Sequence, residues 1–131
     1  MPIIKVSEIS SLENYILLDT REKKEYDTSH LKNAECVGFD YFQIDKVLQK
    51  YPDKSQPILV YCSIGMRSEM IGEKLLQSGY MHVYNLYGGI FEWKNQEKEV
   101  VDKNNVPTEK VHTFSKEWSK WLIKGEKIYE K

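Results

Sequence analysis

Short apolar runs alternate along this chain with stretches in which apolar side chains recur every three or four positions. Residues 3–6, 16–18, 34–37, 58–61 and 83–86 read as strands, with 58–61 the most apolar and 3–6 suited to an edge. Helical segments lie between them. Ser7 is placed to cap a turn running to Leu12, Asp40 to cap a helix carrying Phe42, Ile44, Val47 and Leu48, and Ser68 to cap one carrying Ile71, Leu75 and Leu76. Gly79 then falls just past the end of that last helix, where a left-handed backbone is common. This alternation predicts an α/β fold with a central, mostly parallel five-stranded sheet, helices on both faces, and ligands bound beyond the carboxyl ends of the strands.

The pattern changes near Asn95. Residues 96–106 are polar and charged, contain Asn104-Asn105 and lead into Pro107, which predicts a surface connection. Beyond it, Phe114, Trp118, Trp121 and Leu122 recur at helical spacing after Ser115, a candidate N-cap, and before Gly125, a candidate stop. A C-terminal helical extension is therefore expected. Its stripe is too apolar to stay solvated and its helix too short to hold alone, so it should pack on the body of the protein. The expected organisation is one domain over residues 1–95, then a linker and extension over 96–131. A chain of 131 residues has room for one core, which at this size buries roughly two-thirds of the unfolded surface.

Composition narrows the classes of function. Lys and Arg total 19 against 20 Asp and Glu, a net charge of -1, so there is no global basic field for nucleic acid or acidic membranes. Small-molecule or protein partners are expected instead. No window approaches the ~18 apolar residues of a membrane span, and Met1-Pro2-Ile3-Ile4-Lys5 lacks the apolar core of a signal peptide, so a cytoplasmic location is expected. The two cysteines, Cys36 and Cys62, are far apart and lack metal-ligand spacing, and His82 and His112 lie away from both, so neither a disulfide scaffold nor a metal site is expected.

Cys62 is the candidate for chemistry. It follows the run Ile58-Leu59-Val60-Tyr61 and opens Cys62-Ser63-Ile64-Gly65-Met66-Arg67-Ser68, after which the residues turn helix-compatible. At a strand-to-helix turn the first N–H groups of the helix have no internal partner and stabilise an anion in the loop. A thiolate is such an anion, and Arg67 adds a cation that does not deprotonate. Cys62 thus reads as an activated nucleophile. The plainer alternative is a buried structural cysteine, a description that fits Cys36; for Cys62 the glycine, cation and serine that follow within six positions have no packing rationale.

These residues carry a family resemblance. Leu17-Leu18-Asp19-Thr20-Arg21-Glu22, Glu25-Tyr26, His30-Leu31-Lys32-Asn33-Ala34, the Cys62 loop, and Leu86-Tyr87-Gly88-Gly89-Ile90-Phe91-Glu92-Trp93 resemble, in order, the single-domain rhodaneses. The resemblance implies a rhodanese-like fold and a sulfurtransferase, with Cys62 carrying sulfane sulfur as a persulfide between a donor such as thiosulfate and a thiol or cyanide acceptor. It implies no cofactor beyond that covalent intermediate. Cys62 and Arg67 take the catalytic roles, while Ser63, Ile64, Gly65, Met66, Arg67 and Ser68 form the substrate-binding loop. Asp19, Arg21 and His30 are expected to give structural support, as are Gly88 and Gly89 at a tight turn and Trp93 against the sheet. Ser29 stands where the family usually carries glycine before that histidine.

Loop length separates this chemistry from its neighbours. Four residues lie between Cys62 and Arg67, whereas related phosphatases resemble C-x-x-x-x-x-R, whose longer loop wraps a phosphate. Phosphatase and arsenate-reductase activities therefore rank below sulfur transfer. A different class stays open: a persulfide carrier or rhodanese-like binding module serving a protein partner, such as a member of a sulfur relay. Ile64 and Met66 form an apolar rim that suits a protein or low-polarity thiol acceptor.

Overall fold

The computed structural model describes residues 1–114 and 118–129. A five-stranded sheet is built from β1 (Ile3–Ile4), β2 (Ile16–Asp19), β3 (Glu35–Cys36), β4 (Ile58–Tyr61) and β5 (Val83–Leu86) in the order β1-β5-β4-β2-β3. Every pairing is parallel, with Leu18 opposite Val60 and Val60 opposite Asn85. Four helices connect the strands: α1 (Lys23–Thr28), α2 (Ile44–Lys50), α3 (Met66–Gln77) and α4 (Gly89–Asn95). The predicted α/β architecture is the observed one.

Strand alternation sorts the core into two layers. Leu18, Ile58 and Val60 face Val47 of α2 and Ile71 and Leu75 of α3, while Leu17, Leu59, Tyr61 and Leu86 face Ile90, Phe91 and Trp93 of α4. Because β4 is central and covered on both sides, all four of its residues are fully buried. The end of β4 is consequently the most rigidly framed point at the carboxyl edge of the sheet, and Cys62 is the next residue.

Local structure departs from the expected caps. The first strand stops at Ile4, Val6 enters a 3-10 turn at Val6–Glu8, and that turn is capped by Lys5 rather than Ser7, with Glu8 Oε1 accepting from the Lys5 N–H at 2.9 Å. α2 begins at Ile44 after Gln43, leaving Asp40 and Phe42 outside it. α3 begins at Met66 with Gly65 as N-cap, so Ser68 lies inside its first turn. Gly79 does end α3 as predicted: at φ +99° its N–H bonds to Leu76 and that of Tyr80 to Leu75, a Schellman closure. The hexapeptide α1 has no apolar period, and α4 starts at a glycine, so neither announces itself as a helix by pattern.

The C-terminal third differs most. Within the polar stretch, Val100 and Val101 are buried and form β6, pairing antiparallel with β7 (Pro107–Thr108). Val101 also exchanges both backbone hydrogen bonds with His30, at 2.8 and 2.9 Å. Residues 96–106 are therefore not merely a surface connection. In place of the expected helix, the described residues form β8 (Lys110–His112), a 3-10 turn at Trp118–Trp121 and β9 (Glu126–Ile128), with β8 and β9 parallel. Ser115, the expected N-cap, lies outside the described residues. A single amphipathic turn gains little from helix formation alone, and here strand pairing supplies the backbone partners.

Leu122 anchors the extension. It is 1% exposed and joins the α4-side layer, while Asn95 at the end of α4 bonds the tail backbone three times, donating to Trp121 O and accepting from Ile123 and Lys124 N–H. Truncation to Leu122→Ala should cost about 2–5 kcal/mol, the range for a fully buried leucine, read as a lower urea midpoint at unchanged slope. A shift under ~0.5 kcal/mol would mean that this contact is not maintained in solution.

Candidate active site

The loop after β4 folds around one sulfur atom. Gly65 adopts φ +113°, a conformation strained for any side chain, and in doing so turns its N–H onto Cys62 Sγ at 3.0 Å. The next residues open α3, whose first N–H groups lack helical partners and lie on the loop side of the helix. Ser68 Oγ lies 3.6 Å from the same sulfur. Cys62 itself is fully buried, while Ile64 is half-buried and Met66 is 63% exposed at the rim.

The loop is held from behind by α4. Ile90 N–H donates to Cys62 O at 2.9 Å and Phe91 N–H to Ser63 O at 3.1 Å. This approach requires glycine: a Cβ on Gly89 would sit 2.4 Å from Cys62 O and 2.5 Å from Ser63 O, with φ +59° besides. Gly88, at φ +75°, makes the turn that delivers it. Trp93 is buried and donates its indole N–H to Glu99 O, so it acts in packing and in seating β6.

A second brace comes from Asn85 on β5, which pattern reading does not single out. Its Nδ2 donates to Gly65 O at 3.0 Å, which orients the amide and leaves Oδ1 to accept from Ser68 Oγ at 2.6 Å. Ser68 has one hydroxyl proton, and Asn85 holds it at the shortest distance; a lone pair of the same oxygen is then free to face Sγ. The sequence signal is Asn85 itself, a polar residue inside the otherwise apolar run 83–86.

Arg67 does not point at the sulfur as an orienting cation. Its Nη1 and Nη2 donate to Glu25 at 2.8 and 2.9 Å, forming a bidentate pair, and Nη2 also meets Ser63 Oγ at 3.0 Å. Glu25, buried at 1% exposure, holds the Arg67 guanidinium within the loop's foundation, where its charge still interacts with Cys62. The Arg67 Nε has no hydrogen-bond partner among the described residues, and the rings of Phe114 and Trp118 cover the guanidinium at 5.0 and 5.8 Å. Glu25 sits in the polar α1 and the two rings come from the extension, so nothing in their spacing linked them to Cys62.

The remaining expected residues lie below the loop. Arg21 and Asp19 form a fully buried pair at 2.7 Å, and Arg21 Nη2 also donates to Ser29 O at 2.6 Å. This ties β2 to the start of the His30 segment. His30 stacks on Tyr26 with ring centroids 3.8 Å apart and places Nδ1 2.8 Å from Tyr26 O. Ser29 at φ -168° is extended, so no glycine is needed there. Cys36 lies apart from Cys62, with its sulfur on Arg21 O at 3.5 Å; burial, reinforced by the Asp19 charge, pushes its thiol up to about 11. Among the described residues, no three His, Cys, Asp or Glu side chains converge as metal ligands.

The Glu25 pair has a pH signature. Burial alone would raise its carboxyl, but the Arg67 hydrogen bonds and charge outweigh burial and hold it below the usual range. A depressed folded value stabilises the protein above the unfolded carboxyl pKa of ~4.3, and that contribution disappears as pH falls through the folded value. Glu25→Gln should therefore flatten the acid limb of the stability curve. At neutral pH it should also lose about 3–5 kcal/mol, because Arg67 is left buried and uncompensated. Denaturant midpoints from pH 2 to 8 check both, and an acid limb identical to wild type would refute the assignment.

Residues 5–96 match the rhodanese-like domain family. Thiosulfate sulfurtransferase GlpE of Coxiella burnetii is 31% identical over 90 residues, covering 66% of this chain and 78% of the relative. The tRNA uridine(34) hydroxylase of Chlamydia muridarum is 29% identical over 83 residues, 60% of this chain but 25% of that protein. The fold is shared with the solution structure of the rhodanese-like domain of Anabaena Alr3790, at TM-score 0.68 and 21% identity over 78% of this chain and 80% of that one. With the family's domain matched over residues 5–96 and a relative 31% identical over 90 residues, the chain belongs to the rhodanese-like domain family.

Proposed function

We propose that this protein is a sulfurtransferase that carries sulfane sulfur on Cys62. The observation that supports this most directly is the single sulfur seated 3.0 Å from the Gly65 N–H at the head of α3. In the first half-reaction the Cys62 thiolate attacks the outer sulfur of a donor such as thiosulfate; the S–S bond breaks and its electron pair leaves with sulfite. In the second, a thiolate or cyanide attacks the outer sulfur of the persulfide, and the electron pair returns to Cys62. The persulfide places the transferable sulfur ~2 Å beyond Sγ, where the loop donors face developing negative charge. Phosphate chemistry is disfavoured because the arginine that would clamp a phosphate is already taken by Glu25.

The same pairing favours a second reading, a persulfide carrier loaded by a protein. With Arg67 paired to Glu25 and Met66 exposed, the entrance offers little to a free dianion and more to an apolar partner surface. Parallel incubation with thiosulfate and with a persulfurated desulfurase separates the two.

Cys62→Ser should abolish both thiocyanate formation from thiosulfate and cyanide and the mass gain of one sulfur atom, with the fold retained; Cys36→Ser should keep them. Turnover in the Cys62 variant would end the mechanism. Because Cys36 is held near 11, roughly one part in a thousand of it is thiolate at pH 8, so brief iodoacetamide treatment there should leave Cys36 unmodified. Peptide mapping that finds Cys36 alkylated would show that its pocket opens in solution.

A further inference from the structure

The residues matching the family end at 96, yet the extension reaches back to the cysteine loop. Asn95 grips the backbone at Trp121, Ile123 and Lys124, and Leu122 is buried beside it, so Trp121 is held in place although 44% of its surface is open. Its ring walls a cleft of about 350 Å³ whose other lining residues include Ile64 of the cysteine loop, Tyr87, Phe91, Glu92 and Asn95. A half-exposed tryptophan fixed by a buried neighbour and three hydrogen bonds is preorganised surface, and a cavity of this size accommodates a small molecule.

Charge sets the class of molecule. The cleft contains one carboxylate, Glu92, and the guanidinium nearest in the chain to Ile64 is bonded to Glu25. Glu92 disfavours an anion inside the cleft, and Lys120, which approaches the Trp121 ring, is not among the residues lining it. Lys120 lies 5.0 Å from the Trp121 ring centroid, so a cation already occupies one approach to that ring. We propose that this cleft is the acceptor site and that Trp121 makes the enzyme selective for small uncharged thiols bearing a flat apolar group. This rests on the sulfurtransferase reading above. The bound thiol gives up its proton to solvent, and its thiolate attacks the outer sulfur of the Cys62 persulfide: the acceptor S–S bond forms, the Cys62 S–S bond breaks, the electron pair goes to Cys62, and the product is the acceptor's persulfide.

The test compares benzyl mercaptan, 2-mercaptoethanol and 3-mercaptopropionate, three alkanethiols of similar intrinsic reactivity, against cyanide in the full chain. Benzyl mercaptan should exceed the other two by at least tenfold in kcat/KM, mainly through KM. Trp121→Ala should reduce the ratio of benzyl mercaptan to cyanide turnover about tenfold, and Trp121→Phe should restore most of it. Equal use of the three thiols, or a ratio unmoved by Trp121→Ala, overturns the acceptor site while leaving sulfur transfer standing. A preference confined to a cysteine-bearing peptide overturns it equally. Absence of transfer even to cyanide would instead count against the sulfurtransferase reading, and titration of the Cys62→Ser protein then decides the site separately. Benzyl mercaptan should shift the amide signals of Ile64 and Gly88 and the indole N–H of Trp121, and unmoved signals refute binding there.

Discussion

The buried pair between Glu25 and Arg67 joins the three parts of the molecule that must meet at the loop. Glu25 stands on α1, Arg67 in the first turn of α3, and the rings of Phe114 and Trp118 close over the guanidinium from the extension. Removing either charge leaves the other in a low-dielectric setting, so the pair is far costlier to break than a surface salt bridge. Because Arg67 also bonds Ser63, the position of the residue after Cys62 depends on this contact. It further determines what the site does not offer, namely a free guanidinium for an anionic substrate.

Two backbone constraints complete the cradle. Gly89 brings the head of α4 within bonding distance of the Cys62 and Ser63 carbonyls, an approach that any Cβ would obstruct. Gly65 turns its own N–H inward at a positive φ, and Asn85 holds the Gly65 carbonyl from the opposite side. The loop thus has its carbonyls fixed by α4 and β5 and the Gly65 N–H left to face sulfur. Preorganisation of this kind stabilises a charged sulfur without rearrangement at the moment of reaction.

The extension changes the character of the entrance. Where the matched family residues stop, this chain continues through β6 to β9 and returns Trp121 to a cleft that Ile64 shares. Residues distant in sequence from Cys62 thereby shape the surroundings of its loop, a common division of labour in which a framed core supports variable surroundings.

The sequence by itself determined the alternating strands, the position of Cys62 at the end of the most apolar one, and the glycines that the loop requires. These features are local: period, turn chemistry and a cysteine close to glycine are written within a few consecutive residues. Tertiary structure alone decided that Arg67 answers to Glu25, 42 positions away, that Asn85 clamps the loop, and that Val100 and Val101 form a buried strand. It also turned the expected tail helix into strands and a 3-10 turn over the described residues. Each of these depends on which surface the chain finds across space, where desolvation and pairing partners outweigh the weak preferences of a short segment.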